Sequence, residues 1–229
     1  MRIGQVLIID GDDTLWENNV YFEQSIEAFI DFVDHASLSR DQVRTALDEV
    51  ERLNARVHGY GSAAFAHNLR QAYERLMARA IEPTALDYLM SLARRITEEA
   101  LELLPEVEAT LDYLEGRHRL ILFTKGETEE QRLKLQRSGL ADRFDAVVVT
   151  REKDVAAYRD LVATQGIERE SAWMIGNSPR SDINPALDAG LQAVFIPHRH
   201  TWRLEEAELP PADGRLLVLG SFGQLRDHF

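Results

Sequence analysis

The chain has 229 residues, enough for one large domain or for a core with an insert. Apolar residues make up 45% and charged residues 28%, an ordinary globular balance, and the formal net charge of −13 argues against non-specific binding to nucleic acid or an anionic membrane. The absence of cysteine excludes disulfides, a thiolate zinc site and a cysteine nucleophile. Arg2 is the only basic residue at the start, and the apolar run after it stops at Asp10, so the N-terminus does not read as a signal peptide. The apolar runs are too short to span a bilayer, and a cytoplasmic protein is expected.

Val6-Leu7-Ile8-Ile9 reads as a strand buried on both faces, ending in Asp10-Gly11-Asp12-Asp13. Helical periodicity follows. Phe22, Ile26, Phe29, Ile30 and Val33 mark one face, and Val43, Leu47, Val50 and Val57 a second, entered through a capping box at Ser39 and Gln42. His58-Gly59-Tyr60-Gly61-Ser62 breaks the pattern. Phe65 to Ala80 marks a third helix, and Pro83 opens a fourth that runs to Leu103. Pro105 then opens a helix over Glu106–Glu115. Strand and helix alternate from there: strands over 120–124, 146–150, 172–176, 192–197 and 215–219, with helices over 128–138, 155–165 and 183–189. Glu205–Gly214 is an acidic connection. This order predicts a Rossmann-like α/β/α three-layer core with a mostly parallel sheet, interrupted by an all-α helical bundle. The predicted boundaries are 1–16 with 104–229 for the core and 17–103 for the insert.

Four clusters fall at the carboxyl ends of predicted strands, where open α/β sheets bind ligands. They are Asp10 and Asp12; Thr124, Lys125 and Gly126; Lys153; and Asn177 to Asp182. Each alone is compatible with a turn or a solvated surface. Together they put two carboxylates, a hydroxyl, an ammonium and an oxygen-rich loop around one crevice.

These residues resemble the motifs of the haloacid dehalogenase-like hydrolase superfamily, in the branch with a helical cap inserted after the first motif. Asp10-Gly-Asp12-Asp-Thr14 resembles the first motif, Thr124 the second, Lys153 the third and Gly176-Asn177-Ser-Pro-Arg-Ser-Asp182 the fourth. The resemblance covers about residues 3–15 and 104–197. It implies a phosphatase acting on a small phosphorylated metabolite. Asp10 is then the nucleophile, Asp12 the acid and base, and Thr124 with the following amides at Lys125 and Gly126 the holder of phosphoryl oxygens. Lys153 is the counter-charge, itself held by Asp182. Mg2+ is bridged by Asp10, the Asp12 backbone carbonyl and the Asn177–Asp182 loop.

Asn177 departs from the family's usual aspartate and implies weaker metal binding. Dehalogenating members can carry asparagine there but lack the second aspartate of the first motif, so Asp12 favours a phosphatase over a 2-haloacid dehalogenase. A sugar-phosphate mutase and a non-catalytic metal- or phosphate-binding scaffold stand as further alternatives. Substrate contacts are expected at Thr14, Trp16 and Tyr60, the last within a glycine-flanked loop of the insert. The paired His198 and His200 are assigned no metal. Monomer and homodimer are both compatible with the sequence.

Overall fold

A computed structural model describes residues 4–33, 38–211 and 214–229. Arg2 and residues 212–213 of the acidic connection, both read above, lie outside the described residues. The chain divides into two compact units, Met1–Asn19 with Leu101–Phe229, and Val20–Ala100.

The first unit is built on a six-stranded sheet. Its strands are β1 (Val6–Ile9), β2 (Arg119–Lys125), β3 (Ala146–Thr150), β4 (Ala172–Gly176), β5 (Gln192–Phe195) and β6 (Leu216–Val218). The spatial order is β3-β2-β1-β4-β5-β6, and every neighbouring pair is parallel. Helices α5 (Val107–Leu114), α6 (Thr128–Ser138), α7 (Val155–Gln165) and α8 (Asn184–Asp188) flank the sheet. Side chains alternate along β1, so Leu7 and Ile9 pack with Val107, Leu111 and Leu114 of α5. Ile8 faces the other way, into a cluster with Tyr158, Leu161 and Val162 of α7 and Ala186 of α8. Both faces of β1 are thus covered, which is why it reads as an unbroken apolar run. The chain turns back at β1, between β2 and β4, and the carboxyl ends there form the crevice at the topological switch point.

The second unit is helical, built from α1 (Asn19–Val33), α2 (Arg40–His58), α3 (Ser62–Met77) and α4 (Pro83–Glu98). Phe29, Leu47, Leu69, Leu89 and Leu92 lie in its core. The Ser39 hydroxyl accepts from the Gln42 amide, and the Gln42 side chain accepts from the Ser39 amide, completing the predicted capping box.

Several element ends differ from expectation. Helix α4 stops at Glu98, and Leu103 instead makes a bridge with Trp16. Helix α5 begins at Val107 because Glu106 takes a left-handed conformation, φ 63°. After β4 the chain makes a π-turn, Pro179–Ile183, before α8, and the last strands are shorter than predicted. Among the described residues, no helix is long and apolar enough to cross a membrane.

Candidate active site

β1 ends at Ile9, and the Asp10 amide donates to the Ile175 carbonyl of β4 at 2.9 Å, which carries Asp10 to the mouth of the crevice. Lys153 comes just before α7, whose cap, Asp154, accepts from the Ala157 amide. Lys153 is 3% exposed and donates to Asp10 Oδ1 at 2.5 Å and to Asp182 Oδ1 at 2.7 Å. Its ammonium also lies 5.5 Å from the centre of the Phe123 ring. Burial opposes its charge, but the two carboxylates outweigh that and hold the ammonium protonated. Burial and the Asp182 charge push Asp10 up to about 7, while Lys153 pulls it down.

The fourth-motif loop is pinned from several sides. Asp182 Oδ2 accepts from the Ser178 amide at 2.9 Å, and the Tyr158 hydroxyl donates to the Ser181 carbonyl at 2.9 Å. A Cβ at Gly176 would come within 2.2 Å of Asp182 Oδ2, so only glycine lets this carboxylate fold back beneath the loop. Asn177 Nδ2 donates to Thr201 Oγ1 at 3.2 Å, which turns the amide oxygen inward. The Thr14 hydroxyl lies 3.3 Å from both Asp10 Oδ2 and Asn177 Oδ1. The bridge between Asp12 and Trp16 uses the Gly11 and Trp16 carbonyls, so it leaves the Asp12 carbonyl unspent. Carboxylate, amide and carbonyl oxygens of this kind suit a hard divalent cation. Thr14, expected at the substrate, is 2% exposed and links Asp10 to Asn177.

Asp12 departs further from expectation. Its Oδ1 accepts from the Trp16 indole at 2.7 Å and its Oδ2 from Gln131 Nε2 at 2.8 Å. Lys134 donates to both oxygens, at 2.9 and 3.0 Å. Burial works against its ionisation, but the Lys134 charge and these hydrogen bonds outweigh it and hold Asp12 below the ordinary carboxylate value. Trp16 is fully buried in the core, where its indole holds Asp12.

The Thr124 hydroxyl donates to Gln131 Oε1 at 3.2 Å. Gln131 therefore joins Thr124 to Asp12, a link that sequence reading missed. The Gly126 amide, expected to face phosphate, donates to the Thr150 carbonyl at 3.0 Å. Glycine is needed there for room: φ is 146°, and a Cβ would lie 2.9 Å from Gln131 Nε2.

Lys125, expected near substrate or in solvent, is 13% exposed and pairs with Glu205 at 2.5 Å while donating to Ser181 Oγ at 3.0 Å. Glu205 also accepts from Ser178 Oγ at 2.6 Å, so this pair braces the fourth-motif loop. Asp13 sits at φ 59° and accepts from the Asn18 and Asn19 amides; burial pushes it up to about 7. Asp13, Glu17 and His198 bring ligand-type atoms within 4.8 Å of one another. Tyr60 lies in the helical unit, between Gly59 and Gly61, both at positive φ.

A family model described as haloacid dehalogenase-like hydrolase matches residues 5–190. The chain belongs to this family. It is 33% identical over 159 residues to a phosphoserine phosphatase from Thermus thermophilus, covering 64% of this chain and 63% of that protein. It is 28% identical over 103 residues to pyrimidine 5'-nucleotidase YjjG from Escherichia coli, covering 42% of this chain and 46% of that protein. The aligned stretches thus span less than two thirds of either relative. A crystal structure of a haloacid dehalogenase-like family hydrolase from Xanthomonas campestris superposes with a TM-score of 0.85 at 25% identity, covering 100% of this chain and 95% of that one.

Proposed function

We propose that the protein is a magnesium-dependent phosphatase that hydrolyses a small-molecule phosphate monoester through phosphorylated Asp10. The observation that carries this reading is Lys153, a buried ammonium fixed between Asp10 and Asp182. A carboxylate can approach a phosphate dianion only where the repulsion is offset, and a preorganised buried cation offsets it. The phosphoserine phosphatase and the nucleotidase among the relatives support a small phosphorylated substrate.

An Asp10 oxygen bonds to phosphorus as the bond from phosphorus to the leaving oxygen breaks, and Asp12 gives that oxygen a proton. A water oxygen then bonds to phosphorus, its proton passes to Asp12, and the Asp10–phosphorus bond breaks. The Asp12 anion is set for this second step and has to acquire a proton before the first. Lys153 and Thr124 stabilise charge on the phosphoryl oxygens, for which the Thr124 hydroxyl turns away from Gln131. Magnesium would be held by Asp10, the Asp12 carbonyl, Asn177 and the Asp182 loop, and would supply further positive charge. Tyr60, in the helical unit, is a proposed substrate contact.

Displacing halide from a 2-haloacid needs no proton donor, so a dehalogenase has no use for an Asp12 held by three side chains. The test is phosphate release from a panel of phosphorylated metabolites, with and without magnesium. Magnesium-dependent release is expected. Halide release from a 2-haloacid without phosphatase activity would overturn the reading, and inertness toward both would favour a scaffold.

A further inference from the structure

A lysine on a helix surface ordinarily keeps its ammonium in water. Lys134 does not: its side chain is 17% exposed, and Nζ lies 2.9 and 3.0 Å from the two Asp12 oxygens and 2.8 Å from Asn18 Oδ1. Three acceptors use all three ammonium donors. Asp12 is correspondingly gripped from three sides, by the Trp16 indole at Oδ1, by Gln131 at Oδ2 and by Lys134 at both. Helix α6 supplies two of these holders, Gln131 and Lys134, which lie three apart and share a helix face. The third, Trp16, is fixed in the core. Asp12 itself lies past the end of β1, at an isolated bridge to Trp16, so its side chain depends on these neighbours for its orientation.

We infer that Lys134 is a positioning residue for proton transfer by Asp12. The inference rests on the acid–base role proposed above for Asp12. In the step concerned, the Asp12 O–H bond breaks as its proton passes to the leaving oxygen. That oxygen's bond to phosphorus breaks, and an Asp10 oxygen forms the new bond. Lys134 changes no bond; its charge favours the Asp12 anion, so what it gives this step is the fixed position of the carboxylate from which the proton departs. A misplacement of about 1 Å in such a group costs on the order of 10²-fold in rate.

The requirement for an acid grows with the basicity of the leaving oxygen. An alkyl phosphate needs the proton, whereas p-nitrophenyl phosphate departs largely without it. kcat/KM reports only events through the first irreversible step, so the later attack of water, common to both esters, does not enter. Lys134→Met is expected to lower kcat/KM for an alkyl phosphate by about 30- to 100-fold and for p-nitrophenyl phosphate by less than about threefold. Losing a mostly buried partner should also lower the unfolding midpoint, so both esters are assayed where the variant is fully folded, and Lys134→Arg should restore most of the alkyl activity. Lys134→Gln, which keeps two N–H donors but no charge, replaces the methionine variant if that fails to fold, and should show the same split to a smaller degree. Equal losses on the two esters, or no loss on either, would overturn the inference. Asp12→Asn separates the two levels. If it also lacks the leaving-group split, the acid role of Asp12 fails; if it shows the split and Lys134→Met does not, only the role of Lys134 fails.

Discussion

Replacing Lys153 with methionine leaves Asp10 and Asp182 as buried carboxylates that have lost their shared ammonium. Breaking a buried pair in this way costs about 3–5 kcal/mol, so Lys153→Met should be strongly destabilised in denaturant unfolding at neutral pH and inactive. Losing the ammonium, which pulls Asp10 down, would raise Asp10 further above its unfolded value. The folded state then holds the extra proton, and stability falls as pH rises. The loss should therefore be smaller at about pH 5 than at about pH 8. Asn177 is the other residue at which charge decides the outcome. Asn177→Asp makes the side chain a carboxylate beside Thr14, and Thr201, which accepts from Asn177, would have to turn its hydroxyl from the His198 carbonyl to donate to the new oxygen. The expected result is a magnesium requirement lowered by about tenfold in an activity titration, since ligand charge tunes the affinity of oxygen sites. At this scale the sequence revealed the residue types but not their partners. Asp10, Thr124 and Lys153 stand out because each lies at or just past the carboxyl end of an apolar strand. Gln131 and Lys134 do not, because a polar helix with Arg132 and Arg137 around them reads as solvated. Only the fold brings Asp12 to them.

Among the elements, the turn after β4 is the least tolerant. A Cβ at Gly176 would overlap the Asp182 carboxylate, and the constraint is steric, because Gly176 is not among the glycines at positive φ. Gly176→Ala should lower stability by about 1–3 kcal/mol, read as a shifted denaturant midpoint, and should weaken catalysis by displacing the partner of Lys153. At the opposite end of β1, His118 Nδ1 accepts from the Gln5 amide at 3.2 Å, and burial pushes this histidine down. The folded state then binds fewer protons than the unfolded chain, whose histidine titrates near 6.5. Stability from this group is lost as pH falls through that value. Asp10 and Asp13, pushed up to about 7, act in the opposite sense, with stability falling as pH rises from about 4 toward 7. Comparison with His118→Asn isolates the histidine: the variant should lose less stability than the parent between about pH 7.5 and about pH 5. The π-turn at Pro179–Ile183 was not legible in the sequence, because Asp182 pairing with Lys153, not periodicity, shapes it.

At the scale of the molecule, strand–helix alternation was enough to read the parallel sheet, because each core strand is apolar on its covered faces and each helix stops at a breaker such as Gly139 or Gly166. Residues 17–103 carried no strand signal, and the helices of the second unit close on their own apolar core. The limits of the alternation lay where a non-local contact wins: Leu103 looked helical by spacing, yet it pairs with Trp16 beside the first motif. The central claim is that Asp10 carries the phosphoryl group from the ester oxygen to water. The most direct measurement is an acid quench of the enzyme during turnover of a phosphate ester with magnesium, followed by peptide mass mapping. The expected result is a phosphoryl group on the peptide containing Asp10, absent in Asp10→Asn, which should also fail to turn over. A phosphoryl group on a different residue, or sustained turnover by Asp10→Asn, would contradict it.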